Sequence, residues 1–214
     1  MCRGAAEDTI EPVNIDVLLY QGCDELDVIG PYETLATAAT TRARFDVRLV
    51  TLTPITSITC AHGADIRPHA TMQRPPDLLI VPGGGWIDRA AAGARTEVVR
   101  GELPRAIAAH HAAGATVASV CTGAMLLAAA GLLDGRRATT HHDAIEDLRG
   151  TGTRVIDNAR VVDDGDIITA AGVTSGIDLA LWIIERELGV TAADATARSL
   201  EYESTGGIGH THPA

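Results

Sequence analysis

Apolar positions along this chain recur in two rhythms. Short runs rich in β-branched and aliphatic residues lie at 13–20 (VNIDVLLY), 45–52 (FDVRLVTL), 78–81 (LLIV) and 116–120 (TVASV), the pattern of strands buried on both faces. Longer segments with apolar residues three and four apart lie at 31–40, 96–113, 142–149, 175–188 and 192–202, the spacing of one helical face. Gly114 closes the 96–113 segment where a left-handed cap is expected. Residues 160–170 read as a hairpin turning at Asp164-Gly165. Strands alternating with helices of this length predict an α/β fold: a mostly parallel central sheet with helices on both faces. No internal repeat interrupts the series. The pattern predicts one domain over 13–203, with residues 1–12 a flexible N-terminus and 204–214 a loose tail.

Composition narrows the function classes. A chain of 214 residues with 46% hydrophobic content buries a substantial core. Its net charge of −11 comes with no Lys/Arg block, so the basic footprint of a nucleic-acid binder is missing and a small-molecule substrate or a protein partner fits better. The N-terminus lacks a signal-peptide pattern, and no apolar run reaches the roughly 18 residues of a membrane span. Cytoplasmic residence is the simplest expectation. Cys2, Cys23, Cys60 and Cys121 contain no C-x-x-C pair, which argues against a zinc site or a redox dithiol, and no metal is expected.

Cys121 ends the apolar 115–120 run and begins the helical stretch 122–127. A strand that turns abruptly into a helix with a thiol on the turn is a nucleophile elbow in outline. Ser119 and Gly123 stand at the positions where such an elbow needs small residues. A helix N-terminus favours thiolate; a buried structural thiol is the plain alternative. Ligands in open parallel sheets bind beyond the carboxyl ends of the strands. Three loops are expected to converge there: one with Asp27, one with Gly83 to Gly85, and one with Cys121. Taken singly, Asp27 reads equally as a helix cap and the glycines as a turn. Tyr32 and Trp86 flank these loops as candidate pocket walls, or as aromatics packed beneath them. Gly172 and Val173 open the 175–188 helix and are candidates to line the cavity through their backbone. Cys23 reads as an incidental thiol.

The segments LDVIGPYE (26–33), LLIVPGGG (78–85), SVCTGAMLLAAAGLLDGRRATTHH (119–142) and ITAAGVTSGIDLAL (168–181) resemble, in order, the ThiJ/PfpI superfamily with its class I glutamine-amidotransferase-like, flavodoxin-like fold. Within it they are most similar to the isocyanide (isonitrile) hydratase branch. The resemblance implies Cys121 as nucleophile and Asp27 as the acid hydrogen-bonded to it. It implies backbone N–H groups of Gly84 and Thr122 facing the sulfur, no cofactor, and a homodimer, for which 30–39 offers an apolar face. Hydrolytic relatives carry His directly after the Cys; Thr122 stands there instead and argues against protease chemistry. His141 matches a place where several relatives have His near the nucleophile, and reads equally as a solvated residue beside His142. The implied reaction adds water to an isocyanide. Cys121 attacks the terminal carbon, a protonated Asp27 supplies the proton, and a thioimidate on the sulfur is hydrolysed to an N-substituted formamide. A thiolate beside a carboxyl in an apolar niche raises the carboxyl's pKa. A redox or stress-responsive protein, a ligand-sensing domain like those of AraC-type regulators, and a glyoxalase- or deglycase-like enzyme remain open alternatives.

Overall fold

A computed structural model describes residues 12–42 and 44–203; the two expected loose ends fall outside the described residues apart from Pro12. In chain order the elements are β1 (Val13–Leu18), α1 (Glu25–Arg42), β2 (Phe45–Thr51), β3 (Ile58–Thr59), β4 (Asp65–Ile66), β5 (Ala70–Thr71), β6 (Leu78–Val81), α2 (Ala94–Arg100), α3 (Glu102–Ala112), β7 (Thr116–Ser119) and α4 (Gly123–Ala129). There follow β8 (Arg137–Ala138), a 3-10 turn (His142–Ala144), α5 (Ile145–Arg149), β9 (Arg154–Val155), β10 (Val161–Asp163), β11 (Ile167–Ala170), α6 (Ser175–Leu188) and α7 (Val190–Ser199).

The central sheet has the order β10-β11-β7-β6-β1-β2-β5. Every pairing in it is parallel except β10 with β11, the hairpin expected at 164–165. All four residues of β6 are buried, as a strand covered on both faces requires. Helices α1, α6 and α7 pack together on one side, and α2, α3 and α4 on the other. The order reverses at β1, which has β2 on one side and the later strand β6 on the other. Beyond the carboxyl ends of β1, β6 and β7 lies the crevice such a reversal opens.

Three element boundaries differ from the sequence pattern, each for a local reason. The first helix begins at Glu25 rather than near Pro31. Asp24 is its cap: Oδ1 accepts the Leu26 and Asp27 N–H groups at 3.0 and 3.4 Å. Pro31 therefore sits inside the helix, where it cannot donate to the Asp27 carbonyl, and Asp27 moves from a loop into the first helical turn. The 96–113 segment is two helices broken at Gly101, whose φ of +74° ends α2 and starts α3. The last helix starts at Val190 rather than at 192. The two-residue strands β3, β4, β5, β8 and β9 carry too little periodicity to be read from sequence.

Small residues set how closely the layers approach. A Cβ on Gly176 would lie 3.0 Å from Pro31 Cδ, and one on Gly30 3.4 Å from Ile177 Cγ1, so α1 and α6 cross almost backbone to backbone and hold Asp27 in place. Of the 30–39 face, Thr34, Leu35 and Ala38 are buried within the chain, leaving Tyr32 and Ala36 on a shallow outer groove. At the elbow, a Cβ on Gly123 would meet the Val81 carbonyl oxygen at 2.2 Å. Gly123→Ala is therefore expected to cost about 2 kcal/mol or more, read as a drop of roughly 5 °C or more in Tm. An unchanged Tm would mean that α4 has room to withdraw from β6.

Candidate active site

Cys121 sits between β7 and α4 with φ +55°, a backbone conformation that is uncommon outside glycine and costs of order 1–3 kcal/mol. Its surroundings enforce it. The Cys121 N–H donates to the carbonyls of Ala170 and Ala171 at 3.1 and 2.9 Å, and its own carbonyl accepts the Thr140 hydroxyl at 2.9 Å. The sulfur is buried, with 6% of the residue exposed, and the backbone N–H groups of Val173 and Thr122 point to it. Val173 also has positive φ, +45°, an outlier for a β-branched residue, and that bend is what turns its N–H toward the thiol.

Asp27 is completely buried. Its Oδ2 accepts the Gly83 N–H at 2.9 Å, while Oδ1 has no hydrogen-bond partner among the described residues. Burial, then the charge of Asp24, push this carboxyl well above the ordinary range, against the smaller opposing pull of the Gly83 N–H and the neighbouring Cys121 thiol. An unsatisfied buried carboxylate oxygen is expensive, and a proton lowers that cost by removing the buried charge. Cys121 is pushed up to about 12, first by burial and then by the Asp27 charge; the Val173 and Thr122 N–H groups only partly offset this. The expectation that the α4 N-terminus makes Cys121 a resting thiolate is thus corrected: desolvation outweighs the helix terminus. Burial thus favours the protonated form of each of these two neighbouring groups.

The glycine loop holds this pair from below. The Tyr20 hydroxyl donates to the carbonyls of Pro82 and Gly83 at 2.7 and 3.0 Å, and the Asp24 N–H donates to Gly83 at 2.9 Å. A Cβ on Gly83 would fall 2.5 Å from the Thr122 nitrogen, so glycine is what lets the β6 loop touch the elbow. The Gly84 N–H donates to Thr122 Oγ1 at 3.0 Å. That corrects a second expectation. Gly84 is committed to the Thr122 side chain, and the sulfur's two amides come from Thr122 and Val173.

Thr140, Ala171 and Val173, each in contact with Cys121, also line a groove of about 650 Å³. Its cations are paired, Arg160 with buried Asp178 and Arg149 with Glu146 and Asp157.

The DJ-1/PfpI family model matches residues 13–186, from β1 into α6. The chain belongs to the DJ-1/PfpI family. Among relatives, an isonitrile hydratase of Pseudomonas putida is 36% identical over 195 residues, covering 89% of this chain and 78% of that protein. A zebrafish (Danio rerio) Parkinson disease protein 7 homolog is 26% identical over 83% of this chain and 90% of that one. The crystal structure of a ThiJ/PfpI family protein from Pseudomonas syringae superposes with a TM-score of 0.79 at 26% identity, covering 99% of this chain and 86% of that one.

Within this DJ-1/PfpI fold, Cys121, Asp27, Gly83, Thr122 and Val173 come together, with Gly172 adjoining. His141 lines the groove. Its Nδ1 accepts the Asp143 N–H at 3.2 Å, its ring stacks on His142, and Gly172 packs so tightly beneath that a Cβ would lie 2.4 Å from Cδ2. Burial lowers its pKa and favours the neutral ring. Trp86 fastens the glycine loop to α5, donating through Nε1 to Asp147 at 2.8 Å. Tyr32 stands apart, tilted against His69 with ring centroids 5.8 Å apart. Five residues after Asp27, it lies roughly 140° around the helix from it. Sequence reasoning missed Asp24 and Tyr20. The signal for Asp24 is an acid three residues before Asp27 at a helix start; Tyr20, at the end of the β1 run, gives none. Among the described residues no helix is long and apolar enough to cross a membrane.

Proposed function

We propose that this protein hydrates isocyanides to N-substituted formamides, with Cys121 as nucleophile and Asp27 as the proton carrier. The observation that carries this reading is the fully buried Asp27 carboxyl, favoured in its protonated form, beside a thiol on a strained strand-to-helix turn. The terminal carbon of an isocyanide must receive both a nucleophile and a proton on the same atom. Asp27 gives its proton to that carbon and takes the thiol proton, while the S–C bond forms and a C–N bond order is lost. The product is a thioimidate, R–N=CH–S–Cys121, with Asp27 again protonated. Water then adds to the thioimidate carbon, and cleavage of the C–S bond returns the thiol and releases R–NH–CHO. The Val173 and Thr122 N–H groups stabilise the sulfur whenever it carries charge. The groove beside Thr140 and Val173 takes the substituent R; with its arginines already paired, it suits an uncharged one. No step calls for a metal or an organic cofactor.

The relationship to the Pseudomonas putida isonitrile hydratase supports the same reading, as does Thr122 in place of a histidine. Burial pushes the Cys121 thiol up and away from the oxidisable thiolate, which gives a peroxide-sensor role no support. The direct test is incubation of the protein with cyclohexyl isocyanide, following the formamide proton by NMR. Formamide produced in proportion to enzyme supports the proposal. Formation at the buffer rate, from folded protein, rejects it.

A further inference from the structure

Cys23 and Cys60 stand 37 positions apart in sequence, and their sulfurs lie 3.9 Å apart in the fold. Cys23 lies in the turn between β1 and α1, and Cys60 directly after β3. The chain segments that carry them are tied together on both sides of the pair: the Gly22 N–H donates to the Thr59 carbonyl at 3.0 Å and the Ala61 N–H to the Cys23 carbonyl at 2.9 Å. Cys23 lies near enough to Asp27 to feel its charge, but among the described residues neither sulfur is hydrogen-bonded to Cys121. We propose that Cys23 and Cys60 form an oxidisable dithiol, a modification site separate from Cys121, which closes to an intrachain disulfide when hydrogen peroxide or a similar small peroxide reaches it.

The geometry meets the requirements of the bond. A disulfide holds its sulfurs about 2.05 Å apart, so the pair must close by roughly 2 Å. Cys60 sits in the short β3–β4 hairpin, where Ala61 to Asp65 are all exposed, so the segment that has to yield faces solvent. The two thiols are not equivalent. The contact between the two sulfurs, then burial, push Cys23 up, and the same contact lowers Cys60 against burial and the charges of Glu25, Asp24 and Asp65. Both sulfurs are buried, but Cys60, 4% exposed against 0% for Cys23 and next to the exposed 61–65 segment, is the one nearer solvent, so it meets the oxidant and Cys23 resolves it. The Cys60 sulfur attacks one peroxide oxygen and the O–O bond breaks, giving sulfenic acid and one water. Cys23 sulfur then attacks the Cys60 sulfur and expels the hydroxyl as a second water, with the Cys23 proton. Two thiols and one peroxide become one disulfide and two waters. The product fastens the hairpin to the turn that carries Asp24, the cap of α1.

The test uses the whole chain in two forms, wild type and Cys121→Ser, each exposed to a few equivalents of hydrogen peroxide, alkylated and digested without reductant. The sequence has four cysteines, so Cys121→Ser retains three. The expected result in both forms is a peptide pair linked through Cys23 and Cys60. The denatured thiol count of Cys121→Ser falls from three to one, dithiothreitol restores it, and Cys121 of the wild type remains open to alkylation. Sulfinic acid on Cys60 with Cys23 still alkylated, disulfides through Cys2 only, or an unchanged thiol count would overturn the proposal.

Discussion

Cys121→Ala is expected to reduce formamide production from an isocyanide to the uncatalysed rate, a loss of at least ~10⁴-fold in kcat/KM, the scale seen when an enzyme's nucleophile is removed. The substitution deletes only the sulfur. Alanine keeps the Cys121 backbone bonds to Ala170, Ala171 and Thr140, so circular dichroism and Tm are expected to stay near wild type while activity is lost. The residue just after the thiol sharpens the expectation: the Thr122 N–H still points into the same space and its hydroxyl still receives the Gly84 N–H. Whatever rate remains measures what oriented amides achieve without a covalent step. Turnover within tenfold of wild type would remove the covalent step from the mechanism.

Asp27→Asn carries the second large effect. Asparagine fills the same volume and its Oδ1 can accept the Gly83 N–H, but it cannot pass a proton to carbon. A fall in kcat of about 10²-fold or more is expected, the usual contribution of a positioned acid–base group. The wild-type pH profile follows from the direction of the shift. In the proposed mechanism Asp27 acts as an acid, and burial raises its pKa, so kcat should fall as pH climbs through that raised value. Cys121 stays a thiol until about 12, so it does not obscure the falling limb. Stability moves in the same sense. The folded carboxyl holds its proton above the ordinary value of 3.8 while the unfolded one has lost it, so stability declines with pH across that window. Asp27→Asn removes this dependence and should melt higher than wild type by roughly 3 °C or more at pH 8, with the gap closing toward pH 4. A variant that gains stability while losing activity is the signature of a buried functional acid. A Tm gap independent of pH would show that Asp27 is ionised in the folded protein.

The parts of this site that could be read from sequence are those carried by local pattern. The β7 run, the immediate helical pattern after it and the thiol between them mark the elbow without any tertiary information. The parallel sheet then brings Asp27, the glycines and Cys121 to one edge. What escaped is where long-range contacts decide. Pro31 looks like a helix start, yet the helix begins six residues earlier, at Glu25, capped by Asp24. Gly84 looks like a donor to the sulfur, yet Thr122 takes its N–H. Cys121, just ahead of α4, suggests a thiolate, yet burial of the sulfur opposes the charge that the α4 terminus would favour. Cys23 and Cys60 illustrate the same limit. Their spacing holds no motif, and only the crossing of the β1–α1 turn with the β3–β4 hairpin makes them neighbours.

The most direct measurement of the central claim is the mass of the protein quenched in acid within milliseconds of mixing with excess cyclohexyl isocyanide, followed by peptide mapping. The account predicts a species heavier by one whole isocyanide, borne by the peptide that contains Cys121, formed no more slowly than formamide and absent from Cys121→Ser. Formamide accumulating over many turnovers while that peptide stays unmodified at every quench time would contradict it.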